Sequence, residues 1–318
     1  MIFSKIKTFI KNPAAAVKNK IDERRQKEVA YCTNPENYAK ISDKRAVRAK
    51  YYTIFGTYPN LRNPKTFNEK LQWLKLYDRR PEYVGMVDKY DVKRYIAEKV
   101  GEEFVVPTLG VWDRAEDIDF DALPDRFVLK GTHDSASVII CTDKSKFDRE
   151  AALRELSSCL KKSQFLVGRE WPYKNVKPRI IAEPYLVDES GKELKDYKVC
   201  CFNGKADYLD LHFGRFSQHK KNHYDFGWNP MYFSAGSPTD YSIDFARPQR
   251  LDDMKRVSET LSRGIPFLRV DFYSIYDRIY VGELTFFPGS GFNKFDPPEM
   301  DLKFGEKLIL PKKKRRAD

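Results

Sequence analysis

The chain has 318 residues, 41% hydrophobic, 33% charged and 14% aromatic, which suffices for one large domain or two to three subdomains around a cleft and excludes a disordered chain. No apolar run reaches the ~20 residues of a membrane-crossing helix, and the N-terminus shows no apolar stretch ending in a small-residue cleavage site. The net charge of +12 suggests a nucleic-acid binder until it is mapped: residues 1–30 carry +5, residues 303–318 another +5, and the 272 residues between them only +2, so the basic ends read as tethers to anionic lipid or an acidic polymer.

In chain order, Ile2, Phe3, Ile6, Phe9 and Ile10 share one helical face, with Lys5, Lys7 and Lys11 elsewhere. A basic amphipathic helix of this kind lies on a membrane surface or packs on its own domain, and the pattern alone does not separate the two. Pro13 ends or kinks it. Residues 41–80 read as helical, broken by a turn from Tyr58-Pro59 to Asn63-Pro64. Within them Phe67, Leu71 and Leu74 are in register, and Thr66 with Glu69 forms a capping-box pattern. A helix over 89–100 is ended by Gly101, and a short strand Phe104-Val105-Val106 enters the Pro107 turn. β-rich runs follow at 127–130, 138–141, 180–183, 197–202, 206–210, 268–272 and 279–284. Asn203-Gly204 signals a hairpin between two of them, and helices interrupt at about 147–162 and 250–263. Hairpins with intervening helices imply an α+β fold with mostly antiparallel sheets. Cys32, Cys141, Cys159, Cys200 and Cys201 contain no C-x-x-C and do not combine with His133, His212, His219 or His223 into a zinc spacing. Buried reduced thiols, and hence a cytosolic setting, are expected.

No P-loop or kinase catalytic-loop signature is present, so a nucleotide would be held by isolated lysines and a carboxylate metal site. Asp271 stands among Phe267, Leu268, Val270 and Phe272, and Glu283 ends the next strand across a turn near Tyr276-Asp277-Arg278. A hairpin brings the two acids side by side as a Mg²⁺ site completed by phosphate, or they are strand residues paired with Arg269 or a lysine. Lys130 closes the apolar run Phe127–Leu129, where a cation faces an anion in a cleft or snorkels to the surface. The small polar loop Gly131–Ser137, with Ser135 and Ser137, suits closure over phosphates. The glycine-rich turn Pro288-Gly289-Ser290-Gly291 offers backbone N–H groups to an anion. Ile180 to Leu186 runs apolar into Glu183, a wall whose backbone reads a base edge.

The ordered set Asp88-Lys89, Lys130, Glu183-Pro184-Tyr185-Leu186, Asp196-Tyr197-Lys198, Arg269-Val270-Asp271-Phe272 and Gly282-Glu283-Leu284-Thr285 resembles the ATP-grasp superfamily in its usual order. More closely, the runs Phe67–Asp78, Gly168–Lys174, Cys201–Lys205 and Glu283–Gly291 resemble the TupA-like (teichuronopeptide biosynthesis type) ATP-grasp group, over about residues 40–310. That group is associated with bacterial surface-polysaccharide biosynthesis. The resemblance implies an ATP-grasp fold of two α+β subdomains around a nucleotide cleft, preceded by a helical region. The layout is then a basic amphipathic segment (1–30), a helical region (31–86), a subdomain with phosphate lysines (87–186), one with metal carboxylates (187–310) and a basic tail (311–318). It implies ATP and Mg²⁺ as cofactors. Lys89 and Lys130 would hold the α- and β-phosphates, with Ser135 and Ser137 in the loop over them. Glu183, Tyr185 and Leu186 would form the adenine hinge, and Asp188 or Glu189 would lie near the ribose. Lys198 would meet the γ-phosphate or the acyl-phosphate, with Arg269 and Arg215 as further catalytic residues, and Asp271, Glu283 and Thr285 would bind the metal. Two departures stand out: Thr285 replaces the usual Asn ligand, and Ser135-Ala136-Ser137 replaces a glycine-rich phosphate loop.

The expected activity is an ADP-forming carboxylate–amine ligase working through an acyl-phosphate on a uronic acid of a bacterial surface polysaccharide, such as capsule, O-antigen or teichuronic-type polymer. Its partners would be a polysaccharide or lipid-linked sugar acceptor and an amino acid or amine, with no nucleic acid. Arg169, Arg215, His219 and Lys220, on two loops, would touch substrate or be solvated loop charges. The setting would be cytoplasmic, with residues 1–12 bringing the chain to the inner membrane face. A sugar kinase on the same phosphate site remains an alternative, as does a glycosyltransferase using Asp117-Ile118-Asp119, a short D-x-D pattern in an acidic loop. A polymer-binding protein without catalysis is the remaining class.

Overall fold

Helix α1 (Pro13–Thr33) leads through a 3₁₀ turn (Pro35–Lys40) to α2 (Asp43–Phe55). The computed structural model describes residues 13–134, 137–189, 191, 194–214 and 218–312. The helix expected over residues 1–11, most of the basic tail, Ser135 and Arg215 lie outside them. The chain divides into two units, Met1–Asn60 and Leu61–Asp318. In the first, Ser42 caps α2 through the Arg45 N–H, and Gly56 ends it at φ 74°, a conformation that suits glycine. Cys32, Ile41, Ala46 and Ala49 form its small core. Arg45 grips Glu28 through two bonds of 2.9 and 3.0 Å. Pro13 stands at the start of α1, where a missing N–H is harmless; the helix it was expected to end or kink lies outside the described residues.

The second unit opens with α3 (Phe67–Tyr77), and both halves of the Thr66–Glu69 capping box form. Helices α4 (Glu82–Val87) and α5 (Asp91–Val100) follow. The strand expected at Phe104–Val106 does not form. Gly101 and a 3₁₀ turn, Glu102–Phe104, take up the chain, leaving only a single bridge from Val105 to Val281.

Strands β1 (Gly110–Trp112), β2 (Phe127–Gly131), β3 (Val138–Cys141) and β4 (Ile180–Pro184) make a sheet ordered β1-β4-β2-β3. Helices α6 (Arg149–Cys159) and α7 (Gln164–Gly168) lie between β3 and β4 in the chain. Strands β5 (Asp196–Phe202), β6 (Lys205–Phe213) and β7 (Lys220–Tyr224), the short β8 (Ser234–Ala235), helix α8 (Leu251–Leu261), β9 (Phe267–Ile275), β10 (Arg278–Thr285), β11 (Phe295–Asp296) and α9 (Glu299–Lys307) complete the unit. The larger sheet runs β10-β9-β5-β6-β7, and β8 pairs with β11. Every strand pair in the three sheets is antiparallel. Asn203 and Gly204, both with positive φ, make the β5–β6 hairpin turn.

Phe127, Leu129, Leu156, Ile180 and Ala182 anchor the core of the smaller sheet. A larger core packs α3, α5, α8 and α9 on the five-stranded sheet. All five cysteines are buried and free. Among the described residues no helix is long and apolar enough to cross a membrane.

Candidate active site

One β-bulge sets the chemistry of the larger sheet. On β10, Ile279 and Val281 are core residues, as are Leu284 and Phe286, so the buried side switches from odd to even positions. The switch occurs at Gly282, the extra residue between Val281 and Glu283 in the pairing with β9. A bulge re-aims every side chain beyond it, and here it turns Glu283 and Thr285 onto the face that carries Asp271. A Cβ on Gly282 would come within 2.7 Å of the Tyr273 ring, so glycine is the residue this close approach admits.

Direct cross-strand partners share a face. Glu283 pairs with Asp271, Asp271 with Lys198, Lys198 with Asp210, and Asp210 with His223. A single row of ionisable side chains therefore crosses all five strands. Beside it runs Thr285, Arg269, Cys200 and Tyr208. Arg269 holds Asp271 through two bonds of 2.6 and 2.8 Å and donates to Thr285 Oγ1 at 3.1 Å, while Thr285 donates to Glu283 Oε1 at 3.0 Å. Lys198 Nζ donates to Asp271 Oδ2, an oxygen that also accepts from Arg269. Burial pushes the Asp271 carboxyl up, but Arg269 and Lys198 outweigh it and hold it below the usual carboxylate range.

The smaller sheet contributes the opposing wall. Lys130 Nζ donates to Glu183 Oε2 at 2.5 Å, and Lys93, from α5, donates to Oε1 of the same carboxylate at 2.6 Å. Burial raises Glu183, and the two ammonium groups overcome it to lower the carboxyl below its ordinary value. Burial likewise works against charge on Lys130, yet Tyr273 and Glu183 raise its pKa. Lys89 Nζ donates to the Asp134 carbonyl.

Between the walls lies a cavity of about 550 Å³. Lys89, Lys130, Glu183, Tyr185 and Leu186 line it, as do Lys198, Arg269, Asp271, Glu283 and Thr285. Two of the expected residues are placed otherwise. Ser137 is buried and donates to Asp134 at 2.5 Å, and Glu189 is exposed; neither lines the cavity. Of the loop candidates, Lys220 pairs with Asp240 at 2.7 Å, His219 meets His212 at 2.9 Å, and Arg169 is buried near the Phe165 ring. Asp119 of the D-x-D pattern accepts the Asp121 and Ala122 N–H groups, which makes it a turn residue.

Three contributors escaped the sequence reading. Val138 and Ile140, on alternate positions of β3, line the cavity although 44% and 37% exposed, an apolar surface suited to a flat base. Tyr173 also faces it, and burial, with Glu283 close by, pushes its hydroxyl far up. The third is a polar stripe on α3: Asn68, Gln72 and Lys75, all buried, at the i, i+4, i+7 spacing of one helix face. Asn68 donates to the Asn293 carbonyl at 2.8 Å and Gln72 to that of Gly291 at 2.6 Å. Lys75 donates to the carbonyls of Gly168 at 2.8 Å and Ser290 at 2.6 Å. The stripe holds the turn at Pro288–Gly291, where Gly289 and Ser290 both have φ of 55°, against the cavity.

Mg²⁺ prefers one or two carboxylates plus phosphate oxygens. Asp271 and Glu283, opposite each other with the Thr285 hydroxyl beside them, fit that donor set. Among the described residues no cluster of three or more His, Cys, Asp or Glu makes a metal site. Lysines on one antiparallel sheet facing paired carboxylates on another across a nucleotide-sized cleft define an α+β ATP-grasp fold. The sequence matches the family described as TupA-like ATPgrasp over residues 69–309. The chain belongs to the TupA-like ATP-grasp family.

Solved structures resemble it distantly. The ligase PsnB complexed with minimal precursor is 12% identical, over 65% of this chain and 55% of that one, with a TM-score of 0.35. D-alanine–D-alanine ligase from Bacillus anthracis complexed with ATP is 14% identical over 70% and 65%, with a TM-score of 0.39. The Helicobacter pylori D-alanine–D-alanine ligase is 18% identical over 76% and 69%, with a TM-score of 0.39. The chain thus spans less than two thirds of the first two, and likeness this remote says nothing of substrate or reaction. No curated protein matches.

Proposed function

We propose that this chain is an ATP- and Mg²⁺-dependent carboxylate–amine ligase that forms an acyl-phosphate and releases ADP. The observation that carries the reading is the shared cavity: Lys89 and Lys130 line it from one side, and Lys198, Arg269, Asp271 and Glu283 from the other. Val138, Ile140, Tyr185 and Leu186 suit the adenine. Lys89, Lys130 and Lys198 suit the triphosphate, whose transfer chemistry depends on positioning and charge neutralisation. Asp271, Glu283 and Thr285 would hold Mg²⁺, which would neutralise phosphate charge there. The substrate carboxylate attacks the γ-phosphorus in line and ADP leaves. An amine then attacks the acyl carbon, and Arg269 stabilises the tetrahedral oxyanion.

The substrate is proposed to be the carboxyl of a hexuronic acid in a bacterial surface polysaccharide, and the amine an amino acid; the family resemblance supports this. The basic ends support action at the inner face of the cytoplasmic membrane. The test supplies ATP, Mg²⁺, a uronate-terminated oligosaccharide and pooled amino acids, with products read by mass spectrometry. ADP, phosphate and a new amide are expected. Release of AMP, or no nucleotide product, overturns the ligase reading, and a phosphorylated sugar without amide identifies a kinase. The Lys198→Ala variant is expected to lose at least about 100-fold in ADP release, the scale of one lost charge stabiliser.

A further inference from the structure

The run Gly168–Lys174 puts two side chains on the nucleotide cavity that the phosphate chemistry leaves unused, Glu170 and Tyr173. The other acids lining that cavity serve its cations or its metal. Lys93 and Lys130 hold Glu183, Arg269 and Lys198 hold Asp271, and Asp196 lies 3.8 Å from Lys198. Glu283 belongs to the proposed Mg²⁺ set. Glu170, only 7% exposed, takes part in neither task.

Backbone contacts and Lys75 fix its place. The Tyr173 N–H donates to the Glu170 carbonyl at 3.1 Å at the start of the 3₁₀ turn Trp171–Asn175. Lys75 donates to the Gly168 carbonyl at 2.8 Å and to Ser290 Oγ at 3.0 Å, which ties this loop to the turn at Pro288–Gly291. A Cβ on Gly168 would stand 2.8 Å from Glu170 Oε1 and 2.4 Å from Ser290 Oγ, so the bare glycine lets carboxylate and hydroxyl share one small space. Burial pushes the Tyr173 hydroxyl far up, and Glu283 and then Glu170 push it further. The phenol therefore lies close to both carboxylates. Glu170, Tyr173 and Ser290 line the same cavity as Lys198, Arg269 and Glu283, so a nitrogen held beside Glu170 shares one space with the proposed acyl-phosphate.

We propose that the Glu170 end of the cavity, with Tyr173 and Ser290, is the amine subsite, and that the Glu170 carboxylate receives the amine substrate as its ammonium. The inference rests on the ligase reading and gives its second substrate a charge class, an amine protonated at neutral pH. A carboxylate accepts hydrogen bonds only, and an ammonium has only donors to offer. A bond between two such charged partners is roughly twice as strong as a neutral one. The Ser290 and Tyr173 oxygens supply further acceptors. Glu170 acts in recognition and placement of the nitrogen.

The test separates the half-reactions in the full chain, using ATP, Mg²⁺ and a glucuronate-terminated oligosaccharide. Acyl-phosphate is trapped as a hydroxamate with hydroxylamine, a nucleophile largely uncharged at neutral pH. Amide formation is measured against the concentration of an amino-acid pool. Glu170→Gln keeps the side-chain shape and removes the charge. It is expected to raise the apparent KM for the pool by about 10- to 100-fold, the scale of one lost charged hydrogen bond. Below saturation it should slow amide formation by the same factor relative to hydroxamate formation. Equal loss of both products, or an unchanged KM, overturns the proposal while the ligase reading stands. A wild-type chain that releases no ADP removes both. The wild type also gives a test without any variant. Methylguanidinium, a cation that stays protonated and does not attack, should inhibit amide formation competitively with the pool, and neutral N-methylurea should not. Equal inhibition by the two, or none by the cation, also overturns it.

Discussion

Glu183 is gripped by two lysines, and its lowered carboxyl pKa makes it a stability element as well as part of the cavity wall. A carboxylate held below its unfolded value contributes stability above about pH 4, and that contribution disappears as pH falls through the folded value. The wild-type protein should therefore lose more unfolding free energy between about pH 7 and about pH 3 than Glu183→Gln does. Urea titrations at the two pH values measure the difference, and equal losses contradict the assignment. At this scale much of the cavity lining was legible. Lys130, Asp271 and Glu283 stood out because charges set among apolar strand residues need a reason to be there. Their partners were harder to see. Lys93 reaches Glu183 across ninety positions of sequence, and His223 gains meaning only from Asp210 on the neighbouring strand. The sequence alone shows neither contact.

Helix α3 shows why an element can be placed correctly and still misunderstood. Its capping box and the Phe67, Leu71, Leu74 face follow from spacing and form as expected. The face bearing Asn68, Gln72 and Lys75 looks solvent-exposed by composition, yet it is buried against the turn at 288–293 because backbone carbonyls there take its donors. Lys75→Met strips buried carbonyls of their donor and should destabilise the protein by about 1–3 kcal/mol. The loosened turn should also raise the KM for ATP by about tenfold, equivalent to about 1.4 kcal/mol. Thermal melting and initial rates check the two effects. An unchanged KM in a destabilised variant would confine the stripe to folding. The bulge at Gly282 was likewise invisible, because a period-2 pattern that changes phase midway resembles an ordinary irregular strand.

For the whole chain, the uneven spread of charge separates a nearly neutral body from two basic ends. Full-length protein is expected to sediment with phosphatidylglycerol vesicles at low salt and less so as salt screens the attraction, and deletion of residues 1–12 should abolish it. Sedimentation unaffected by the deletion would assign the first segment to packing on its own domain. Within the second unit, the row from Glu283 to His223 imposes a parity rule on the larger sheet. Because side chains alternate, gaining or losing one residue inside β5, β6 or β9 sends part of the row to the opposite side of the sheet. Any indel within these strands must come in twos or bring its own compensating bulge, as β10 already does at Gly282.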